Sequence, residues 1–297
     1  MIGVKDTRVV LKLTVNLLAT PQLLRTFRVL LCRIVFLNFC RNRRSKTVAR
    51  QSGMRISVII PTYNEEENIG GLIGDLQKYG GRNLEEIIVV DAPSRDQTAQ
   101  RAEKAGARVI VSAQPGRASQ MNAGAQIAQG DVLYFVHADV RIHPDYGQDI
   151  QQALSEGYTL GCYRYQFDSP RMILKLNTFF QRYDRIWSRG GDQTLFIPKA
   201  AFDELGGYCE KHRVMEDYEF ILRARKKYRF KIIPKYIIVS ARKYENNSYL
   251  RVNLANAVVL WMYFRGAPQQ KLIDTYKSII KTEKYGVKAV DESEIPG

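Results

Sequence analysis

The chain reads ISVIIPTYNEEENIGGLIGDLQ at residues 56–77, and this stretch decides its fold class. The apolar, β-branched run at 56–60 predicts a buried strand. The apolar residues that follow lie on one helical face: Ile69, Leu72, Ile73 and Leu76. Asn64 is a candidate N-cap for this helix, with three glutamates in the first turn. A strand, a short loop and a helix are therefore predicted in succession.

The same alternation continues downstream. Further strands are predicted at 87–90, 108–111 and 132–136, and a helical pattern lies between each strand and the next. Such alternation predicts βαβ units and a Rossmann-like, mostly parallel sheet with flanking helices. Ligands of these sheets bind beyond the carboxyl ends of the strands. Residues placed directly after strands are therefore the first candidates for a site.

The second half of the chain is less regular. Strands are predicted at 158–167, 194–197, 231–233 and 236–240, and helices at 172–187, 217–228, 249–264 and 269–280. We predict three parts: a basic amphipathic N-terminal extension at 1–53, one α/β domain at 54–245, and a helical C-terminal appendix at 246–297.

Basic charge is concentrated at the N-terminus. The formal net charge is +15, and residues 1–53 hold eleven Lys or Arg but a single acid, Asp6. The longest uncharged run there, 13–24, is shorter than the 20 or so residues that span a bilayer. An interfacial helix, an Arg-rich targeting segment and an extension upstream of Met54 all fit this pattern. Nucleic acid fits less well, because the basic residues alternate with apolar ones.

The four cysteines form no C-x-x-C pair and no cluster with zinc spacing. We therefore expect free thiols in a reducing compartment, and a cytoplasmic protein.

Acidic residues occur at equivalent positions after two predicted strands. Asp91 and Asp139 each lie just past the end of such a strand, so their carboxylates are expected to open onto one crevice. Aspartate is also a common turn former, but its repetition at equivalent positions favours a site.

Two further segments carry charged candidates. Arg117 lies in the loop PGRASQMN, where it is either a phosphate-binding cation or a solvated charge. Glu216 and Asp217 open a predicted helix, where negative charge is favourable in any case. A carboxylate at that place could also accept a proton from an attacking hydroxyl.

Several motifs, taken in order, resemble the family-2 glycosyltransferases. They are IIPTYNEEENI at 59–69, VVDAPSRDQT at 89–98, GR at 116–117 with NAGA at 122–125, HAD at 137–139, GDQ at 191–193, GGY at 206–208 and EDYE at 216–219. The match covers about residues 55–281, and the ordered set is far more specific than any single motif. The segments SAR at 240–242 and RGAP at 265–268 resemble one bacterial subfamily, associated with radical-SAM or selenium-related gene contexts.

This resemblance implies a GT-A fold and an inverting transfer of one sugar from a nucleotide-diphosphate sugar to a hydroxyl acceptor. It implies Asp139 as the ligand of Mg²⁺ or Mn²⁺ and Asp217 as the general base. The implied donor-binding residues are Pro61, Tyr63, Glu65, Asp91, Arg117, Asn122 and Asp192. Ala92 stands where the family has a second acid, and His137 stands for the first Asp of the metal motif. The chain has no Gln-x-x-Arg-Trp motif, which argues against a processive polymer synthase.

Two other functions fit the sequence less well. A nucleotidyltransferase that makes nucleotide sugars would carry a Gly-rich basic loop after the first strand, whereas residues 61–67 are acidic and lack glycine. A non-catalytic nucleotide-binding module at a membrane surface is disfavoured by the intact Asp139 and Asp217.

The predicted helix at 249–264 has an apolar stripe with aromatic neighbours and basic flanks. The stripe comprises Leu250, Leu254, Ala257, Val258 and Trp261, and no acid lies between 246 and 273. The stripe either packs on the sheet or lies in the headgroup region of a membrane. The second interpretation predicts a peripheral protein of the inner face of the plasma membrane, with a lipid-linked acceptor as one option.

Overall fold

The computed structural model describes residues 54–112, 116–185 and 193–280, all within one compact unit that spans Lys46–Gly297. The predicted N-terminal extension, Asp192 and residues 281–297 lie outside the described residues. The proposed division into three parts therefore stays a prediction.

The described residues form one eight-stranded sheet flanked by helices. The strands are β1 (Ile56–Thr62), β2 (Leu84–Asp91), β3 (Arg108–Val111), β4 (Val132–Phe135), β5 (Val140–Arg141), β6 (Leu160–Phe167), β7 (Leu195–Pro198) and β8 (Phe230–Val239). The helices are α1 (Ile69–Gly80), α2 (Thr98–Lys104), α3 (Arg117–Ile127), α4 (Tyr146–Ser155), α5 (Lys175–Phe180), α6 (Lys199–Glu204), α7 (Glu216–Arg225), α8 (Tyr249–Phe264) and α9 (Gln269–Ile279). Short 3₁₀ helices lie at Gly81–Asn83, Met172–Leu174 and Arg242–Tyr244.

The strand order is β3-β2-β1-β4-β7-β6-β8-β5. Strands β3, β2, β1 and β4 are parallel neighbours, whereas β7 pairs antiparallel with both β4 and β6. The carboxyl ends of β1, β2 and β4 therefore meet at one edge, and the loops that follow these strands share that edge.

Both faces of the parallel half are buried. Along β1, Val58 and Ile60 belong to a core cluster with α1, while Ile59 belongs to a second cluster with α3. This follows from the two-residue period of a strand. Helix α3 packs closely on the sheet at Gly124, where a Cβ would lie only 2.5 Å from a methyl group of Ile59.

Three details differ from the sequence-based expectations. First, Asn64 does not cap α1, which begins at Ile69; it adopts a left-handed φ of 52° and accepts a hydrogen bond from the backbone N–H of Arg95. Second, the two short strands predicted at 231–240 are one continuous strand, β8. Third, β5, α4 and α6 were not predicted. The predicted helix at 249–264 is confirmed as α8.

Candidate active site

The loops after β1 and β2 are joined through Asp91, the last residue of β2. Its buried carboxylate accepts hydrogen bonds from the Thr62 hydroxyl (2.8 Å) and from the hydroxyl and backbone N–H of Ser94 (2.7 and 3.1 Å). The Ser94 hydroxyl also accepts a bond from the backbone N–H of Asn64 at 2.9 Å. Asp91 therefore holds together the two loops in which a nucleotide is expected to bind.

A second set of bonds continues this connection. The backbone N–H of Glu65 donates to the Thr98 hydroxyl at 2.8 Å, and that of Glu66 donates to Asp96 at 3.3 Å. Burial acts to raise the pKa of Asp96, but hydrogen bonds from Thr98 and Glu66 outweigh it and lower the pKa below its ordinary value. Because these bonds favour the ionised form, they are strongest with Asp96 charged.

Helix α3 is attached to the same edge through Gln120. Its buried side-chain amide donates to the carbonyl oxygens of Thr62 (2.8 Å) and Val90 (2.7 Å), at the ends of β1 and β2. The first turn of α3, which begins at Arg117, is thereby held beside the strand ends.

Asp139, the predicted metal ligand, is paired with an arginine that the sequence did not single out. Arg242 Nη2 lies 3.1 Å from Asp139 Oδ2 and 3.4 Å from both carboxylate oxygens of Glu65. These residues follow β8, β4 and β1. Burial acts to lower the pKa of Arg242, but the two carboxylates outweigh it and raise the pKa above its ordinary value.

The predicted base lies in a second charged group. Arg117 Nε is 3.0 Å from Oε1 of Glu216, whose side chain is 1% exposed, and the neighbouring Asp217 is half-buried. Burial, and after it the negative charges of Asp217 and Glu216, raise the pKa of Tyr208 well above its ordinary value, while Arg117 acts to lower it. Arg117, Tyr208, Glu216 and Asp217 therefore lie close enough to influence one another.

Asn122 connects α3 to the loop that carries Tyr208. Its side chain donates to the Tyr208 carbonyl (2.9 Å) and to Glu210 (2.8 Å), and it accepts from the Tyr208 N–H at 2.9 Å. Gly207 has a φ of 67°, and a Cβ there would lie 2.8 Å from Asn122 Oδ1. The GGY motif is thus explained by a close approach and a left-handed backbone.

Asp139 suits a hard divalent cation. It is a half-exposed carboxylate at a strand end, and Mg²⁺ or Mn²⁺ is commonly held by one or two carboxylates together with phosphate oxygens. Among the described residues, His143, Asp145 and Asp149 also lie within ligand distance of one another. Lys235 Nζ already contacts both of these carboxylates, at 2.7 and 2.8 Å, so an ammonium neutralises that group.

The other predicted donor-binding residues differ in their exposure to solvent. Pro61 is buried within β1, and Tyr63, just after that strand, is 39% exposed. Sequence reasoning included Arg242, Gln120 and Tyr208 in quoted motifs but assigned none of them a role, because their contacts join segments far apart in the chain.

Comparison with known proteins agrees with this geometry. Residues 57–203 match the family described as glycosyl transferase family 2. Over these residues the chain belongs to that family.

Similar proteins include the glucosyl-3-phosphoglycerate synthase of Mycolicibacterium smegmatis, 35% identical over 116 residues. This match covers 35% of the chain and 38% of the relative, so the chain matches well under half of that enzyme. The dolichol-phosphate mannosyltransferase of Pyrococcus furiosus is 34% identical over 110 residues, which are 35% of the chain and 31% of the relative.

The fold is also similar to that of a mannosyltransferase of Pyrobaculum calidifontis, solved with GDP-mannose and Mn²⁺. The TM-score is 0.55 at 17% identity, covering 86% of this chain and 76% of the other. The predicted GT-A fold is confirmed by this likeness.

Proposed function

We propose that the chain transfers a single sugar from a nucleotide-diphosphate sugar to a hydroxyl acceptor, with inversion at the anomeric carbon. One observation carries the proposal: two half-exposed carboxylates, Asp139 and Asp217, and two arginines, Arg117 and Arg242, lie on loops and helix starts of a fold whose residues 57–203 match glycosyl transferase family 2. The relatives are a glucosyl-3-phosphoglycerate synthase and a dolichol-phosphate mannosyltransferase, which supports sugar transfer as the reaction class.

The donor would lie beyond the ends of β1, β2 and β4. Pro61, Tyr63, Glu65 and Asp91 would form the nucleotide side, and Arg117, Asn122 and Asp192 the diphosphate and sugar side. In this arrangement Asp91 and Asn122 act largely by fixing the positions of neighbouring loops. Asp91 accepts hydrogen bonds from Thr62 and Ser94, and Asn122 is hydrogen-bonded to the backbone of Tyr208.

Asp139 would hold Mg²⁺ or Mn²⁺, which when bound supplies positive charge to the departing diphosphate. The Mn²⁺ in the structure of the mannosyltransferase supports this choice of cation. The base of the nucleotide, the sugar and the acceptor are left open by this set of residues.

Asp217 would act as general base. As the acceptor oxygen bonds to the anomeric carbon, the bond from that carbon to the diphosphate oxygen breaks, and the hydroxyl proton passes to the Asp217 carboxylate. Its position in the first turn of α7 favours the ionised form, which is the form able to accept the proton.

The test is Asp217→Asn, measured with UDP-glucose and GDP-mannose in the presence of Mn²⁺. We expect donor affinity to persist while turnover, followed as release of nucleoside diphosphate, falls on the order of 10²–10⁴-fold. Asp203→Asn, on the exposed surface of α6, is the matched control and should leave turnover unchanged. Near wild-type turnover in Asp217→Asn would reject the assignment.

We also infer membership of the bacterial subfamily with radical-SAM or selenium-related gene contexts. The supporting residues are the segments SAR at 240–242 and RGAP at 265–268.

Peripheral binding to an anionic membrane is inferred as well. The buried face of α8 consists of Val252, Ala255, Val259 and Met262, whereas the stripe residues Leu250, Leu254 and Trp261 are 74, 59 and 50% exposed. Leu250, Leu254 and Trp261 therefore face away from the core, whereas Val258 of the same stripe packs against the cluster of Val259, Met262 and Leu272. None of the described helices is long and apolar enough to cross a bilayer.

A second apolar segment lies next to the start of α8. Apart from Tyr63 and Val111, the strongly exposed large hydrophobic side chains of the described residues belong either to α8 or to residues 172–183. Tyr249 at the start of α8 donates to Asn177 of α5 at 2.8 Å, so the two segments are neighbours. Residues 169–183 and 246–273 contain six Lys or Arg and no acid. Exposed apolar groups with basic neighbours are what an anionic headgroup region binds.

Liposome flotation of the full chain tests this surface. Leu254→Asn on α8 and Phe179→Asn on α5 should each weaken binding to anionic vesicles about 10-fold, which corresponds to the loss of one buried apolar side chain. Val111→Asn, which alters an exposed side chain on β3, is the control. If the wild type fails to float with anionic vesicles at low salt, the surface has another occupant, such as a second copy of the chain.

A further inference from the structure

The loop after β8 places a fixed cation between two carboxylates of the candidate active site. Arg242 Nη2 contacts Asp139 Oδ2 at 3.1 Å and both oxygens of Glu65 at 3.4 Å. The loop itself is anchored, since the N–H of Ala241 donates to Asp168 at 2.7 Å. Arg242 is therefore held at the edge where β1 and β4 end.

The guanidinium is only partly used. Within the part of the chain that the structure describes, every side-chain hydrogen bond of Arg242 leaves from Nη2. A guanidinium has five donors in a planar fork that matches phosphate oxygens. The side chain is 34% exposed, and neither Nε nor Nη1 donates a hydrogen bond to the described residues.

Asp139 is both the partner of Arg242 and the proposed ligand of the divalent cation. A divalent cation needs the Asp139 carboxylate, and Arg242 already occupies one oxygen of that carboxylate. The cation and the guanidinium therefore compete for Asp139.

From these contacts we infer that Arg242 binds the diphosphate of the donor and competes with the divalent cation for Asp139. Before the donor and the cation bind, Arg242 pairs with Asp139 and Glu65. When the donor and the cation bind, the N–H groups of Arg242 donate to a phosphate oxygen instead, and Asp139 becomes available as a ligand of the cation. The inference rests on the proposed function in two respects, namely that the ligand is a nucleoside diphosphate and that Asp139 holds the divalent cation.

It follows that part of the affinity for the diphosphate does not depend on metal. Removing Arg242 should weaken nucleotide binding in the absence of metal and, at the same time, strengthen binding of the metal alone. A residue with a purely structural role would not move these two affinities in opposite directions.

The experiment compares the full-length wild type with Arg242→Gln, Arg242→Lys and Arg251→Gln. The last variant removes an equal charge from the exposed side of α8 and is the matched control. UDP and GDP binding is measured by calorimetry with EDTA, and Mn²⁺ binding without nucleotide is measured by the free-ion electron paramagnetic resonance signal. Thermal unfolding confirms that each variant is folded.

For Arg242→Gln we expect metal-free affinity for whichever nucleotide binds to fall on the order of 10- to 100-fold, as for loss of a charged hydrogen bond. We expect Mn²⁺ affinity to rise about 5-fold, because a positive charge near the ligand is removed. Arg242→Lys should lie between Arg242→Gln and the wild type in both measurements, and Arg251→Gln should match the wild type.

The inference is overturned if Arg242→Gln leaves Mn²⁺ affinity unchanged or lowers it. It is equally overturned if the wild type binds nucleotide with Mn²⁺ but shows no binding in EDTA. If the wild type binds neither UDP nor GDP under any condition, the proposed donor class is wrong, and the Mn²⁺ measurement alone decides whether Arg242 competes for Asp139.

Discussion

The ion pair between Arg117 and Glu216 has two ends of very different exposure, and this predicts an asymmetric response to substitution. The Glu216 side chain is 1% exposed, whereas Arg117 is 40% exposed. Among the described residues, neither carboxylate oxygen of Glu216 has an aligned hydrogen-bond donor. The nearby guanidinium is therefore the main compensation for a buried charge.

Arg117→Met leaves that charge uncompensated. Breaking a buried pair in this way costs about 3–5 kcal/mol, and we expect the lower end, about 3 kcal/mol, because Arg117 is open to water. Glu216→Gln leaves a half-solvated guanidinium instead, and we expect a cost of about 1 kcal/mol. Once Glu216 is neutral, adding Arg117→Met should cost less than about 1 kcal/mol, so the two substitutions should be strongly non-additive.

Urea unfolding at neutral pH measures these free energies for the two single variants and the double variant. Arg82→Met, at an exposed position in the 3₁₀ helix Gly81–Asn83 that follows α1, is the control and should change stability by no more than about 0.5 kcal/mol. The reasoning fails if Arg117→Met costs no more than Arg82→Met, or if its cost is the same whether or not Glu216 is present.

Three further predictions concern the supporting residues. Tyr208→Phe should leave the free energy of unfolding unchanged or slightly raised, because the buried hydroxyl has no hydrogen-bond partner among the described residues; a loss above about 1 kcal/mol in urea unfolding would contradict this. Gly207→Ala should cost at least about 1–2 kcal/mol through its left-handed φ, with a further cost from Asn122, and should exceed Gly81→Ala, whose φ is also positive but whose Cβ would meet open space. Asp96→Asn should lower the thermal midpoint at neutral pH. Because the folded-state pKa of Asp96 lies below 3.8, the gap to the wild type should close as pH falls below about 4, and a gap independent of pH from 6 to 3 would contradict this.

Much of the parallel half of the fold could be predicted from the sequence. Strands β1, β2 and β4 are largely buried on both faces, so each contains a mainly apolar run that is recognisable in the sequence. Strand β5 has two residues, too few for any period, and its pairing with β8 is settled only by tertiary contacts. The predicted cap at Asn64 was wrong because that side chain binds the β2 loop, a competition that local sequence does not reveal.

In the candidate active site, too, only some of the residues could be predicted from the sequence. The positions of Asp91 and Asp139 followed from one rule, that carboxyl ends of parallel strands share an edge. Arg242 could not be found in this way. It is 103 residues from Asp139 and 177 from Glu65 in the chain, and it follows β8, which belongs to the mixed half of the sheet, where the rule gives no guidance.

The hydrogen bonds also separate residues that hold loops from residues that remain able to bind a ligand. An ionised carboxylate offers about four lone-pair sites, and three at Asp91 are taken by Thr62 and Ser94. The Asn122 amide has both donor hydrogens engaged. A family motif identifies such residues as necessary but does not say whether they touch the donor. Arg117 is 40% exposed and Arg242 is 34% exposed, so direct contact with a diphosphate should fall mainly to these two cations. The buried motif residues would then fix the positions of the two arginines.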